Sequence, residues 1–177
     1  SVAVGFFVAV PRIVDGRMNV VDLTKSIAIS DRASALHASL RVADLHDDLL
    51  LWDRSIVGPG TRGHTDVARL AAGNVAVQVF STVTKTPKGQ NYDRNSGETD
   101  NITLLAVASR WPPRTWGSLT QRALHQAAKL ERAAAASDGR LVIARSRTEF
   151  EAALTARAAA GEQKPVIGIL STEGLQA

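Results

Sequence analysis

VAVQVF at residues 75–80 is the stretch that decides the class of fold. The run is apolar apart from Gln78, and three of its residues are the β-branched valine, which favours a strand buried on both faces. A helical pattern at 66–72 precedes it and is closed by Gly73, and a long polar loop at 84–100 follows it. A helix that leads directly into a buried strand is typical of parallel βα structure.

The same alternation of strand and helix continues on both sides of this stretch. Further strands are predicted at 41–46, 141–143 and 165–170, and further helices at 31–40, 101–110, 118–136 and 148–161. The last helix is predicted to open with a capping box formed by Thr148 and Glu151. The alternation predicts an α/β fold with about four parallel strands covered by helices. Two architectures fit it: a doubly wound open sheet, and the N-terminal half of a (β/α)8 TIM barrel, since a full barrel needs about 250 residues.

Composition limits the kind of function that the chain can perform. With 177 residues, of which 45% are hydrophobic, the chain is long enough for a domain with a real core. It contains no cysteine, so a metal site would have to use His, Asp or Glu. The net charge is +4, but the basic residues are scattered among acids and aromatic residues are few. We therefore expect no nucleic-acid binding.

The first ten residues, SVAVGFFVAV, are apolar and are followed by Pro11 and Arg12. A membrane-spanning helix needs about 20 apolar residues, so this run is too short by itself. It also lacks the charged start of a complete signal peptide. Two interpretations follow: an ordinary buried strand, or the trailing end of an N-terminal anchor or export signal.

A histidine and acidic residues interrupt the apolar run ADLHDDLLLW at residues 43–52. On a strand, His46 and Asp48 point to the same side because they are two residues apart, while Asp47 points away. One imidazole and one carboxylate at the carboxyl end of a strand make half of a metal site. The alternative is that these residues only begin a polar loop.

Glu173 follows the last predicted strand and supplies a second carboxylate at the same edge of a parallel sheet. In barrels this edge carries the active site. The alternative is that Glu173 caps a following turn. Together with His46 and Asp48, it predicts a metal centre at the strand ends.

Other motifs favour less specific roles. Residues 58–63 match G-x-G-x-x-G only formally, because they do not join a strand to a helix, and we interpret them as a flexible loop. His64 lies beside a predicted helix cap, where a surface or capping role is expected. Ser55, Ser81 and Ser171 lack a G-x-S-x-G turn, which argues against a serine hydrolase.

Three stretches, in the same order, resemble a known family. Residues 44–49 (DLHDDL) are similar to D-G-H-N-D-L, residues 66–81 to D-x-x-x-L-x-x-G-x-V-x-x-Q-F-x-S, and residues 167–174 to an element that ends in I-E-G. These are motifs of the membrane (renal-type) dipeptidases, which are dizinc peptidases of the metal-dependent hydrolase superfamily. The resemblance runs from about residue 33 to the C-terminus.

The resemblance implies a (β/α)8 barrel with two zinc ions, of which this chain would be the N-terminal half. It implies that His46 and Asp48 bind the first zinc and that Glu173 bridges both. Trp52 falls near a family aromatic residue at the substrate pocket, one residue out of register. Gln176 stands where the family often has histidine. The remaining ligands of the second zinc and the proton shuttle come from later strands in the family, and would lie beyond residue 177.

From the resemblance we expect a zinc-dependent dipeptidase, a metallopeptidase that hydrolyses dipeptides through a metal-activated bridging water, with this chain alone inactive. A different metal-dependent amidohydrolase and a non-catalytic barrel-fold binding protein are the alternatives. The expected division is an N-terminal segment at 1–29, now interpreted as the tail of an anchor, and the half-barrel at 30–177. A dipeptide substrate, a homodimer and a bacterial cell-envelope location are also expected, with the cytoplasm as the alternative location.

Overall fold

The computed structural model describes residues 2–18, 20–21, 27–161 and 163–174. The helices are α1 (Val2–Met18), α2 (Asp31–Ser39), α3 (Val67–Ala72), α4 (Ile102–Ala108), α5 (Leu119–Ala135) and α6 (Arg147–Ala159). The strands are β1 (Val42–Asp47), β2 (Val75–Val83), β3 (Leu141–Ile143) and β4 (Val166–Glu173). All four predicted strands are present, and β2 and β4 run three residues further than predicted. The predicted α/β class is confirmed.

The strands form one parallel sheet in the order β1-β2-β4-β3. β2 pairs with β4 from Val77–Ile167 through Val83–Glu173, and β3 pairs only with the first half of β4. The last strand in the chain therefore lies in the interior of the sheet. As a result, a single strand, β2, separates the carboxyl ends of β1 and β4.

The helices cover both faces of the sheet. Val166 packs with Phe80 and with residues of α3 and α5, whereas the next residue, Ile167, packs with Val77 and Ala153 of α6. Successive residues of a strand point to opposite faces, so α6 lies opposite α3 and α5. Right-handed crossovers explain why the helices lie on opposite faces. The chain crosses the sheet in one direction from β2 to β3 and in the reverse direction from β3 to β4, so the two connections cover opposite faces.

Strand order and helix placement are those of an open sheet wound on both faces, one of the two architectures that the sequence allows. In a (β/α)8 barrel, consecutive strands are neighbours and every helix lies on the outer face. The short β3 forms the edge of this sheet, and α6 covers the face that a barrel would turn inward.

Residues 2–10 of the N-terminal apolar run are helical, so the buried-strand interpretation is wrong. Pro11, which follows the run in the sequence, lies inside α1. The helix packs on the rest of the protein: Arg54 Nη1 lies 3.2 Å from Asp15 Oδ1, and Arg62 donates to the Arg12 carbonyl at 2.9 Å. Within the described ranges, no helix combines the length and the apolar character that crossing a membrane requires.

The N-cap of α6 lies two residues earlier than the predicted capping box places it. Ser146 Oγ accepts a hydrogen bond from the Glu149 N–H at 3.2 Å, and the Glu149 carboxylate accepts one from the Arg145 N–H at 2.8 Å. Ser146 has the extended backbone that an N-cap requires, whereas Thr148 is already inside the helix. Two overlapping patterns of hydroxyl residue and glutamate made both starts compatible with the sequence.

A buried arginine fastens the loop that follows β2. The Arg122 side chain is 2% exposed, and its five N–H groups all have acceptors. The acceptors are the carbonyls of Thr115, Thr84 and Trp116, Thr103 Oγ1 and Asp100 Oδ2, all at 2.6–2.7 Å. This set, which we call the Arg122 network, joins α5 to the end of β2, to α4 and to the far end of the 84–100 loop.

Candidate metal centre

The carboxyl end of β1 is held by its own acidic residues. Asp44 Oδ1 accepts from the His46 N–H at 3.1 Å, and Asp47 Oδ1 accepts from the Leu49 N–H at 2.8 Å. A 3-10 helix, Leu49–Leu51, follows at once and buries all three leucines in the core. The buried leucines fix this turn. Asp48 is its N-cap residue, but the Asp48 side chain makes no capping hydrogen bond.

Asp47 itself turns toward the loop before α3. Burial raises the pKa of Asp47 above its usual range, and hydrogen bonds from the Thr65 hydroxyl and the Leu49 N–H oppose that rise. As predicted, it does not join His46 and Asp48.

The carboxyl end of β4 is fixed through its backbone. The Glu173 carbonyl accepts from the Thr84 N–H at 3.2 Å and from Thr84 Oγ1 at 2.8 Å. Gly174 follows with φ +80, and a Cβ there would lie 2.6 Å from the backbone of Lys85. A side chain at this position would force the strands apart. The Glu173 backbone is therefore anchored to the end of β2.

The three predicted metal ligands converge across β2. His46 Nε2 lies 3.1 Å from Asp48 Oδ1 and 3.4 Å from Glu173 Oε2, and one ligand atom from each residue lies within 4.8 Å of the others. Their side chains are 54%, 42% and 40% exposed, so an ion could reach them from solvent. We call His46, Asp48 and Glu173 the strand-end cluster.

The geometry of the cluster fits a bound cation. Zinc binds nitrogen and oxygen at about 2.0–2.2 Å, which in a tetrahedron places neighbouring ligand atoms about 3.3 Å apart. Both measured separations are close to that value. Asp48 Oδ1 is shielded from solvent and makes no hydrogen bond, although His46 Nε2 lies 3.1 Å away. A shielded carboxylate oxygen that makes no hydrogen bond is available as a metal ligand.

The electrostatics of the cluster also favour a cation. Burial raises the pKa of Glu173, the nearby Asp48 carboxylate raises it further, and His46 opposes the rise. Two carboxylates that share a site repel each other, and a divalent ion would offset that repulsion. In the part of the chain that the structure describes, no other group of three His, Asp or Glu residues comes this close together.

A cavity of about 330 Å³ opens beside the cluster. Its walls include His46, Asp48 and Trp52, so the predicted substrate-binding tryptophan is a neighbour of the metal ligands. His64 also lines it, although the sequence predicted only a surface or capping role; the actual cap of α3 is Asp66, which accepts from the Arg69 N–H at 2.8 Å. No local pattern marks His64, because the loop at 53–66 alone brings it here.

A lysine supports the turn on which Asp48 lies. Lys129 of α5 donates to the carbonyls of Leu50 and Trp52. Burial lowers the pKa of Lys129 to about 8, with Asp53 opposing the shift. The residues around Asp48 are thus held from the α5 side as well as by the buried leucines.

Comparison with known proteins finds no family model that matches this chain and no curated protein that matches it. The dipeptidase resemblance stays a prediction, and Gln176 lies outside the described residues.

Proposed function

We propose that this chain supplies one side of the dizinc centre of a dipeptidase, with His46 and Asp48 as ligands of the first ion and Glu173 as the bridging carboxylate. One observation carries the proposal: three ligand-type side chains from two separate strands meet at 3.1 and 3.4 Å, with a shielded carboxylate oxygen that makes no hydrogen bond. Such a set has little value for stability without a cation.

When bound, zinc would lower the pKa of a water to about 7 and polarise the scissile carbonyl. The residues of this chain would hold and orient that ion. His46 would use Nε2 as a neutral ligand, and the two carboxylates would balance the charge of the ion. Trp52 would form an apolar wall for a side chain of the dipeptide.

The finer fold proposal is a (β/α)8 barrel, in which the strand-end cluster would lie at the carboxyl ends of the wall strands. In such a barrel the interior holds only side chains, so α6 would have to leave the face that it covers here. The second-zinc ligands and the proton shuttle would come from later strands of the complete protein. A crystal structure of the complete protein tests this directly, since α6 packed on Val77 and Ile167 would contradict the barrel.

The experiment for the function uses the full-length protein. We expect two zinc ions per protein by elemental analysis, and hydrolysis of unmodified dipeptides. His46→Ala and Asp48→Ala should each lose at least one zinc and nearly all activity, whereas His37→Ala, on the exposed helix α2, should lose neither. Normal zinc content and activity in both cluster variants would refute the proposal.

On the same resemblance we propose an envelope-anchored homodimer in a bacterium. Its test is cell fractionation of the full-length protein with sizing of the detergent extract. Fully active monomer recovered in the soluble fraction would contradict both parts.

A further inference from the structure

The Ser81 hydroxyl is buried but makes no hydrogen bond in the fold. The residue is 1% exposed, and its Oγ is buried without a hydrogen-bond partner. Buried hydroxyls are nearly always paired, because an unpaired one loses its bonds to water and gains nothing in return. An exception next to a predicted ligand site calls for a functional explanation.

The strand register places Ser81 on the face of the strand-end cluster. Ser81 pairs with Ser171 of β4, and Val83 pairs with Glu173. Partners in neighbouring parallel strands project to the same face, and so do residues two apart on one strand. Ser81 and Glu173 therefore share a face.

The pairing of β1 with β2 also places His46 and Asp48 near Ser81. Asp47 pairs with Phe80, so Asp48 follows at the level of Ser81. Relative to Ser81, Asp48 lies at the same level, His46 lies two residues earlier on β1, and Glu173 lies two residues later on β4.

The cluster arches over β2. Neighbouring strands lie about 4.8 Å apart, so β1 and β4 are about 10 Å apart with β2 between them. His46 Nε2 and Glu173 Oε2 are nevertheless only 3.4 Å apart. The two side chains must meet above β2, where the residues on the same face are Val83, which pairs with Glu173, and Ser81, two residues before it. Of these two, Ser81 is the one that carries a hydrogen-bond donor.

We propose that Ser81 is a positioning residue of the metal centre: its hydroxyl donates to the Glu173 carboxylate once a divalent cation holds that carboxylate in place. The inference rests on the proposed cation site. A hydrogen bond to a ligating carboxylate fixes its orientation, and the loss of such a bond typically weakens metal affinity 10- to 100-fold. Serine suits the position because it carries a donor and leaves room for the side chains above it.

The test measures zinc affinity by competition with a chromophoric chelator, in the wild type, Ser81→Ala, Ser171→Ala and His46→Ala. Ser171 is the matched control, because it lies beside Ser81 on the same face but already donates to the Phe80 carbonyl at 3.5 Å. We expect Ser81→Ala to weaken zinc binding 10- to 100-fold, and Ser171→Ala to change it less than about 3-fold.

A second measurement separates positioning from packing. The melting temperature of metal-free Ser81→Ala should equal or exceed that of the wild type, since the change removes an unsatisfied buried hydroxyl. A lower metal-free melting temperature would indicate a structural serine and overturn the inference.

The remaining outcomes separate this inference from the proposed function. Unchanged zinc affinity in Ser81→Ala, with binding lost in His46→Ala, would overturn the role of Ser81 and leave the metal centre standing. A wild type that binds no zinc would overturn both.

Discussion

The Arg122 network and the strand-end cluster are both polar, and both stand at the carboxyl edge of the same sheet, yet they are built in opposite ways. In the network, all five N–H groups of Arg122 have acceptors at 2.6–2.7 Å. In the cluster, His46 Nε2 lies 3.1 and 3.4 Å from two carboxylate oxygens, and one of these, Asp48 Oδ1, makes no hydrogen bond.

This difference separates a structural group from a ligand site. A buried charge that is fully hydrogen-bonded holds its surroundings together, and removing it leaves several groups unsatisfied. A partly exposed cluster of one imidazole and two carboxylates contributes little by itself and gains free energy when it binds a cation. The network should therefore matter for folding, and the cluster for binding.

The largest expected effect is the loss of the network. Arg122→Met should lower the free energy of unfolding by about 3–5 kcal/mol, because the Asp100 carboxylate and three carbonyls lose their buried donor. Arg114→Met, at an exposed position next to Thr115, should change it by less than about 0.5 kcal/mol. Urea denaturation measures both. A loss below about 1 kcal/mol for Arg122→Met would remove the contrast between the two groups.

The next largest expected effect is the stabilisation of the folded protein by zinc bound at the strand-end cluster. Zinc at about 100 times its dissociation constant should raise the free energy of unfolding by about 2.7 kcal/mol. The gain should vanish in Asp48→Ala and persist in Thr103→Val, which weakens the network at a bond of 2.7 Å to Arg122. Thermal melts with and without zinc measure it. A zinc gain that depended on Thr103 would show that the two groups are coupled.

One substitution at two aspartates compares the groups directly. Asp100→Asn should cost about 2 kcal/mol, because the carboxylate accepts a charge-assisted bond from Arg122. Asp48→Asn in metal-free protein should cost less than about 0.5 kcal/mol, because Asp48 Oδ1 makes no hydrogen bond and repulsion with Glu173 is relieved. Equal costs in urea denaturation would contradict our assignment of the two aspartates.

The pH dependence of the Asp100 effect supplies a control. Burial alone would raise the pKa of Asp100, but the bonds from Arg122, Thr103 and the Ile102 N–H outweigh it and hold the pKa below 3.8. The unfolded state then takes up the proton first as the pH falls, so the contribution of the carboxylate is complete above about pH 4 and is lost through the folded pKa. The difference in the free energy of unfolding between the wild type and Asp100→Asn should therefore shrink as the pH falls below about 4.

The last prediction concerns the N-cap of α6, which belongs neither to the Arg122 network nor to the strand-end cluster. It shows how much an ordinary surface hydrogen bond contributes to stability. Ser146→Ala should cost about 1 kcal/mol through the loss of the α6 cap, and Thr148→Ala, inside the helix, only a few tenths. Chemical denaturation of the two variants measures the difference. A larger cost for Thr148→Ala than for Ser146→Ala would show that the helix is capped at Thr148, as the sequence predicts.

The sequence predicted the elements of the fold well and their arrangement poorly. Continuous valine-rich runs marked the strands, because strands buried on both faces must be apolar throughout. The order β1-β2-β4-β3 and the second helix layer depend on which strand edges pair, and no local pattern records that. The sequence does not predict α1 as a helix, because Pro11 lies inside it and proline is disfavoured in helix interiors.

The amino-acid sequence by itself limited the chemistry available at the strand ends: with no cysteine, metal ligands there had to come from histidine and from carboxylates, such as His46, Asp48 and Glu173. Tertiary structure alone decided that these residues, up to 127 positions apart (His46 to Glu173), meet across one strand. It also decided that Ser81 shares a face of the sheet with Glu173 and that His64 faces the cavity beside the cluster. The reason is physical: residue type fixes which bonds a side chain can make, whereas strand pairing fixes which side chains come close enough to make them.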